Sequence, residues 1–143
     1  MNNYPVIMGC NIIALKKDGK NYGMTCAWAQ MIGYDKLMML IGSQSETGSV
    51  LSPGDIVGVS GLASDQEKIS TYIGTHHSKK ADKFKNIEYT TKGSAILING
   101  AKTQSICTVE NIMHLKDIEE DNLVILRINE SKNDETKEFL LYK

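Results

Sequence analysis

The sequence is short of the residues that punctuate, staple or anchor a chain. It has two prolines in 143 residues and neither low-complexity segments nor a fixed-period repeat, which argues against a linker or a solenoid. Its cysteines, Cys10, Cys26 and Cys107, are odd in number and far apart, so they suggest no disulfide framework and no C-x-x-C metal or redox site. A reducing, cytoplasmic setting is expected. No apolar run reaches membrane-span length, and the first residues lack the basic and apolar segments of a signal peptide. Sixteen basic against seventeen acidic residues leave a net charge of −1, with no basic field for nucleic acid and no polybasic segment for an anionic membrane. Aromatic residues make up only 6%, too few for a base-stacking surface.

What is present reads as one domain over residues 1–143, long enough to bury about two-thirds of its unfolded surface around one core. Val6 to Leu15 is rich in Val, Ile and Leu, and Asp18-Gly19 supplies the positive φ angles of a tight turn. A hairpin into a second strand beginning near Tyr22 follows. That second strand, Asn21 to Met31, holds the only tryptophan. A two-residue period points Met24, Cys26 and Trp28 one way and Thr25, Ala27 and Ala29 the other, leaving a low surface where a planar ligand can approach the backbone. On periodicity alone, a core strand anchored by a buried Trp28 is the commoner arrangement.

Leu37 to Ile41 reads as a strand running into Gly42-Ser43-Gln44-Ser45-Glu46-Thr47-Gly48-Ser49, where Ser43 or Ser45 can cap a short helix and expose N–H groups to an anion. Ile56 to Val59 is a further strand after the Pro53-Gly54-Asp55 turn. Ser64-Asp65-Gln66-Glu67 has capping-box spacing, with Ile69, Tyr72 and Ile73 on one helical face and Gly74 as terminator. His76 and His77 fall in a polar stretch without Cys or acidic partners at ligand spacing apart from Asp82, so no metal site is expected. Ala95–Ile98, Ser105–Leu115, Leu123–Ile128 and Phe139–Tyr142 read as strands, with turns at Asn99-Gly100 and at Glu119 to Asn122. Many short strands with one or two helices suggest a closed antiparallel barrel.

Gly74-Thr75-His76-His77-Ser78-Lys79-Lys80-Ala81-Asp82-Lys83-Phe84 resembles the G-T-H-S-G-R-D-x-D-K-F segment of the flavin reductase-like, FMN-binding split barrels, the family that includes flavoredoxin. Met24-Thr25-Cys26-Ala27-Trp28 is similar to that family's N-A-M-T-A-S-W strand. Tyr4-Pro5-Val6, and Ile98 to Ala101 leading to Cys107, follow in the family's order. The resemblance implies a mainly β fold, a six-stranded antiparallel split β-barrel with Greek-key topology and one or two short helices, dimeric, binding FMN non-covalently. It implies that Asn21, Thr25, Cys26, Ala27 and Trp28 lie beside the flavin. Ser43, Ser45 and Thr47 would serve the phosphate, and Lys83 would put a positive charge on the phosphate or near the flavin. It also implies a flavin reductase or flavoredoxin activity in which the flavin carries the electrons and no catalytic side chain is needed, with NAD(P)H or a small redox protein as partner. The alternative is a non-catalytic, flavin- or haem-binding dimer on the same barrel. Tyr22 stands where the family strand has asparagine, His77-Ser78 replaces S-G, Asp35-Lys36 lacks paired prolines, and the histidine of a G-D-H segment tied to nicotinamide binding has no counterpart at Asp121-Asn122.

Overall fold

The computed structural model describes residues 4–75 and 84–143. These form β1 (Asn11–Lys17), β2 (Lys20–Cys26), β3 (Ala29–Met31), β4 (Lys36–Ile41), α1 (Glu46–Val50), β5 (Ile56–Gly61), α2 (Glu67–Thr75), β6 (Tyr89–Lys92), β7 (Ala95–Ile98), β8 (Thr103–His114) and β9 (Asn122–Asn133). All strand pairs are antiparallel, and one sheet runs β3-β4-β9-β8-β5-β1-β7-β6, with β2 on the other edge of β1. No described helix is long and apolar enough to cross a membrane.

The expected six-stranded barrel is contained in this nine-stranded sheet. The long second strand predicted over Asn21–Met31 is split: β2 pairs with β1 from Lys20↔Lys17 to Cys26↔Asn11, and β3 pairs with β4 from Ala29↔Met39 to Met31↔Leu37. Counting β2 and β3 as halves of one bent strand gives a ring of β1, β2/β3, β4, β9, β8 and β5. The ladder is interrupted at Ala27 and Trp28, so the sheet is not closed there. The β6–β7 hairpin is additional, and β6 carries no apolar alternation that would have announced it.

Local chemistry explains the turns. Asp18 and Gly19 have φ of 52° and 76°, both left-handed, as a two-residue hairpin loop between right-twisted strands requires. β8 and β9 pair along their length with irregularities between Ile106 and Cys107 and between Val109 and Asn111, which sharpen the coiling a small barrel needs.

β1 shows how two cores share one sheet. Ile13 and Leu15 point into the barrel with Met39, Ile41, Val57, Cys107, Val109, Val124 and Leu126. Ile12 and Ala14 point outward onto Leu62, Ile73, Phe84, Ile96 and Ile98. A strand buried on both faces reads as the unbroken apolar run seen in the sequence. At Gly58 a Cβ would sit 2.0 Å from the Ile96 carbonyl oxygen, so only glycine lets β7 lie so close to β5.

Two expectations about ends need correcting. α2 starts at Glu67, and Ala63 N–H bonds the Gln66 side chain (3.0 Å), so the reach-back comes from Gln66 rather than from a Ser64–Glu67 box. Phe139 to Tyr142 is not a continuous strand but makes isolated bridges from Phe139 to Ala63 and from Leu141 to Gly9.

Candidate functional site

β2 delivers its side chains to opposite sides. Tyr22, Met24 and Cys26 pack on the barrel core. Asn21 donates to the Tyr89 hydroxyl (3.3 Å) and Thr25 to the Ser70 carbonyl of α2 (2.9 Å). The strand then breaks. Cys26 is the last residue in register with β1, its carbonyl accepts from the Asn11 side chain (3.1 Å), and Ala29 N–H folds back on the Ala27 carbonyl (3.0 Å). Trp28 accepts from Leu40 N–H (2.9 Å) through its carbonyl, which fixes the start of β3 on β4.

This break overturns the buried-anchor arrangement. Trp28 does not follow Cys26 into the core; it is 42% exposed. Period-two alternation holds only while the ladder is continuous, and two residues off the ladder suffice to turn the indole outward.

Met24, Thr25, Cys26, Ala27, Trp28, Leu40, Glu120 and Tyr142 line a cleft of about 190 Å³. Ala27 and Trp28 contribute more than side chains here. Among the described residues neither of their N–H groups has an acceptor, so both are free to bond a ligand at the cleft. Cys26 is part of the wall and is inert: its thiol donates to the Trp28 and Leu40 carbonyls (3.4 Å each), and burial pushes it up to about 12, from an ordinary value of 9.0. It is a neutral thiol that ties the bend to β4, not a redox thiolate.

Beside the cleft runs the loop from β4 into α1. Ser45 caps α1: its hydroxyl accepts from Gly48 N–H (2.9 Å), donates to the Gly42 carbonyl (2.7 Å) and lies 3.7 Å from the Met24 sulfur. Thr47 is buried. Ser43 gives its N–H to Asp121 Oδ1 (2.8 Å) and its hydroxyl to Asp121 Oδ2 (2.9 Å), and Gly42 N–H donates to Glu120. Glu120 therefore touches this loop and the Trp28 cleft together. The same Asp121 oxygen lies 3.1 Å from His114 Nδ1, and Asp121 is held below the usual carboxylate range, first by Ser43 N–H and then by the Ser43 hydroxyl and the charge of His114.

The sequence-predicted residues thus divide. Thr25, Cys26, Ala27 and Trp28 share one cleft; Ser43, Ser45 and Thr47 share the adjoining loop; Asn21 lies outside the cleft lining, against Tyr89. Lys83, with His76 and His77, falls outside the described residues. Glu120, Asp121 and Tyr142 were missed. Glu120 and Asp121 read as an ordinary acidic turn, and they meet Gly42 and Ser43 across 78 residues of sequence. His114 was missed too; it faces Asn122 across the β8–β9 ladder.

Known proteins share this fold. The chain superposes on the NADH:FAD oxidoreductase of Streptomyces globisporus C-1027 with a TM-score of 0.87 at 17% identity, over 96% of this chain and 82% of that one. An FMN-binding protein from Thermus thermophilus, solved with p-hydroxybenzaldehyde, gives 0.81 at 13% identity, over 94% and 83%. The flavoredoxin of Methanosarcina acetivorans gives 0.77 at 17% identity, over 94% and 74%. Comparison with curated protein sequences gives no match. Residues 4–143 match the family described as "Flavin reductase like domain", so the chain belongs to the flavin reductase-like family.

Proposed function

We propose that this protein is an FMN-binding oxidoreductase of the flavin reductase or flavoredoxin type, folded as one domain and working as a homodimer in the cytoplasm. The observation that carries the reading is the Ala27–Trp28 break: an outward indole beside two N–H groups that lack acceptors among the described residues. The pyrimidine edge of an isoalloxazine offers carbonyl oxygens to such donors, and its ring offers an apolar face to the indole. Thr25, Cys26 and Ala27 form the floor. Ser43, Ser45 and Thr47 serve the phosphate end, joined by Lys83 from its place in the Asp-Lys-Phe segment. Asn21 braces β2 at the edge of this site through Tyr89.

A bound flavin supplies hydride acceptance and onward electron transfer at its own ring. The chain's residues bind and orient it and shield one face from water. None needs to move a proton, which agrees with a cleft whose only thiol is held neutral. NAD(P)H or a small redox protein is the proposed donor. For the second copy, the structure offers an apolar groove of about 530 Å³ lined by Ile7, Met31, Tyr34, Phe139 and Leu141 among others, with Ile7, Ile32 and Tyr34 exposed around it. Apolar patches of this kind mark association surfaces.

The test is an absorption spectrum of purified protein, before and after FMN and then NADH or NADPH under anaerobic conditions. Bound flavin and quenched Trp28 fluorescence are expected, followed by bleaching with one nicotinamide. Absence of FMN binding overturns the reading. Binding with colour retained in both nucleotides favours the non-catalytic binding dimer. Sedimentation of the same sample is expected to give twice the chain mass.

A further inference from the structure

The loop assigned to the phosphate is already bonded to anions, and they belong to this chain. Asp121 grips Ser43 with both oxygens, one on the N–H and one on the hydroxyl, while Glu120 takes the N–H of Gly42. Two adjacent backbone donors and one hydroxyl are the donor set that a phosphate oxyanion uses. Here two carboxylates fill it. Among the described residues the ion-pair partner of Asp121 is the exposed His114 imidazole alone, 3.1 Å away, so a dianionic phosphate brought to these donors meets two like charges.

The carboxylates sit on a turn that is not built into the core. They end the turn between β8 and β9, where none of residues 115–121 is fully buried. That turn is closed by the bond from Leu115 N–H to the Asp121 carbonyl (2.7 Å). Beyond it, Val124 and Leu126 anchor β9 in the barrel. Glu120 also walls the Trp28 cleft, so displacement of the turn frees the Gly42–Ser43 donors and widens the ring end together.

We infer that Glu120 and Asp121 act as an internal anion competing with the ligand's phosphate for Gly42 and Ser43, and so set the preference between phosphorylated and unphosphorylated flavins. The inference rests on the flavin-site reading above. In the resting chain the competitor holds the donors, riboflavin needs only the cleft, and FMN must displace the turn to gain its phosphate contacts.

The experiment is a pair of titrations, riboflavin and FMN, followed by Trp28 fluorescence in the unmodified protein, Glu120→Gln, Asp121→Asn and the double variant. Both changes are near-isosteric and leave hydrogen-bonding groups in place, and Glu120→Gln removes one charge while keeping an acceptor for Gly42 N–H and a side chain of the same size in the cleft wall, so it serves if Asp121→Asn weakens the fold. Expected is about tenfold tighter FMN binding in the double variant, as loss of one or two charge-assisted competitors implies, a smaller gain of the same sign in Glu120→Gln, and less than about a twofold change for riboflavin. Equal changes for both flavins, or weaker FMN binding, overturn the competition while leaving the flavin site intact. Failure of the unmodified protein to bind either flavin overturns the flavin site and this inference with it.

Discussion

Replacing Gly48 by alanine pits two effects of opposite sign against each other. Gly48 lies in the middle of α1, where alanine is favoured over glycine by about 1 kcal/mol in an ordinary helix. The structure reverses that expectation. An added Cβ would lie 2.1 Å from the Gly42 carbonyl oxygen, 2.7 Å from Ser45 Oγ and 3.0 Å from the Gly42 carbonyl carbon. The first obstacle is backbone, so relief requires α1 to move off the β4–α1 loop rather than a side chain to rotate. Overpacking of this kind costs about 1–3 kcal/mol. The same displacement stretches the cap from Ser45 Oγ to Gly48 N–H (2.9 Å), and a lost cap costs about 1 kcal/mol. Set against the propensity gain, the net is a loss of about 1–3 kcal/mol, a fall in melting temperature of about 4–10 °C for a chain of this size. Thermal unfolding followed by circular dichroism measures it. Ser49→Ala in the same helix is the control, because Ser49 is exposed and its hydroxyl only bonds Glu46 within the helix; it is expected within about 0.5 kcal/mol of the parent. A Gly48→Ala variant that melts at or above the parent would refute the reasoning.

Two further predictions concern ionisation. Cys26 and Cys107 are each pushed up to about 12 from 9.0 by burial, so folding favours their neutral thiols: this contribution is intact below about pH 9 and is lost as pH rises from there through about 12. A thiol reagent at pH 8 should label none of the three buried cysteines in the native protein and all of them in denaturant; rapid native labelling contradicts the burial. Asp121 is shifted the other way, by Ser43 N–H first, so its grip on Ser43 persists at neutral pH and is released only as pH falls through a value below the ordinary aspartate range. The Ser43 amide resonance reports that step, and a midpoint at or above an unperturbed aspartate excludes the bond.

How far the sequence disclosed this molecule depended on whether a feature was encoded locally. The Asp18-Gly19 hairpin was legible because two adjacent residues determine the turn, and the short helix after β4 because Ser45 carries its own cap. The break at Ala27 and Trp28 was not, since the apolar and small residues continue the alternation of β2 and the backbone bond that holds the Trp28 carbonyl comes from Leu40, on another strand. The polar end of β9, Asn129 to Asn133, was left out of the predicted strand because it has no apolar period; beyond the irregularity at Asn129, Glu130 to Asn133 pair with Ile106 to Thr103 at the sheet's solvated margin. At the site, Thr25 to Trp28 could be found together because they are contiguous. Glu120 and Asp121 could not, because their partners Gly42 and Ser43 lie in another part of the chain and acidic turn residues are common for local reasons.

The bent second strand also bears on how the molecule is assembled. β1 and β2 need only a two-residue loop and can pair within microseconds, whereas β4 finds its main partner in β9, at Lys36↔Arg127. Nearly the whole chain must be synthesised before that ladder exists. Until then β4 can lean only on the three residues of β3, and its apolar Leu37–Ile41 segment waits with an open edge. Loop-closure entropy makes such distant pairing slow, so the late joining of β4 to β9 is where a nascent chain is most exposed to misassembly, and where a chaperone would find it.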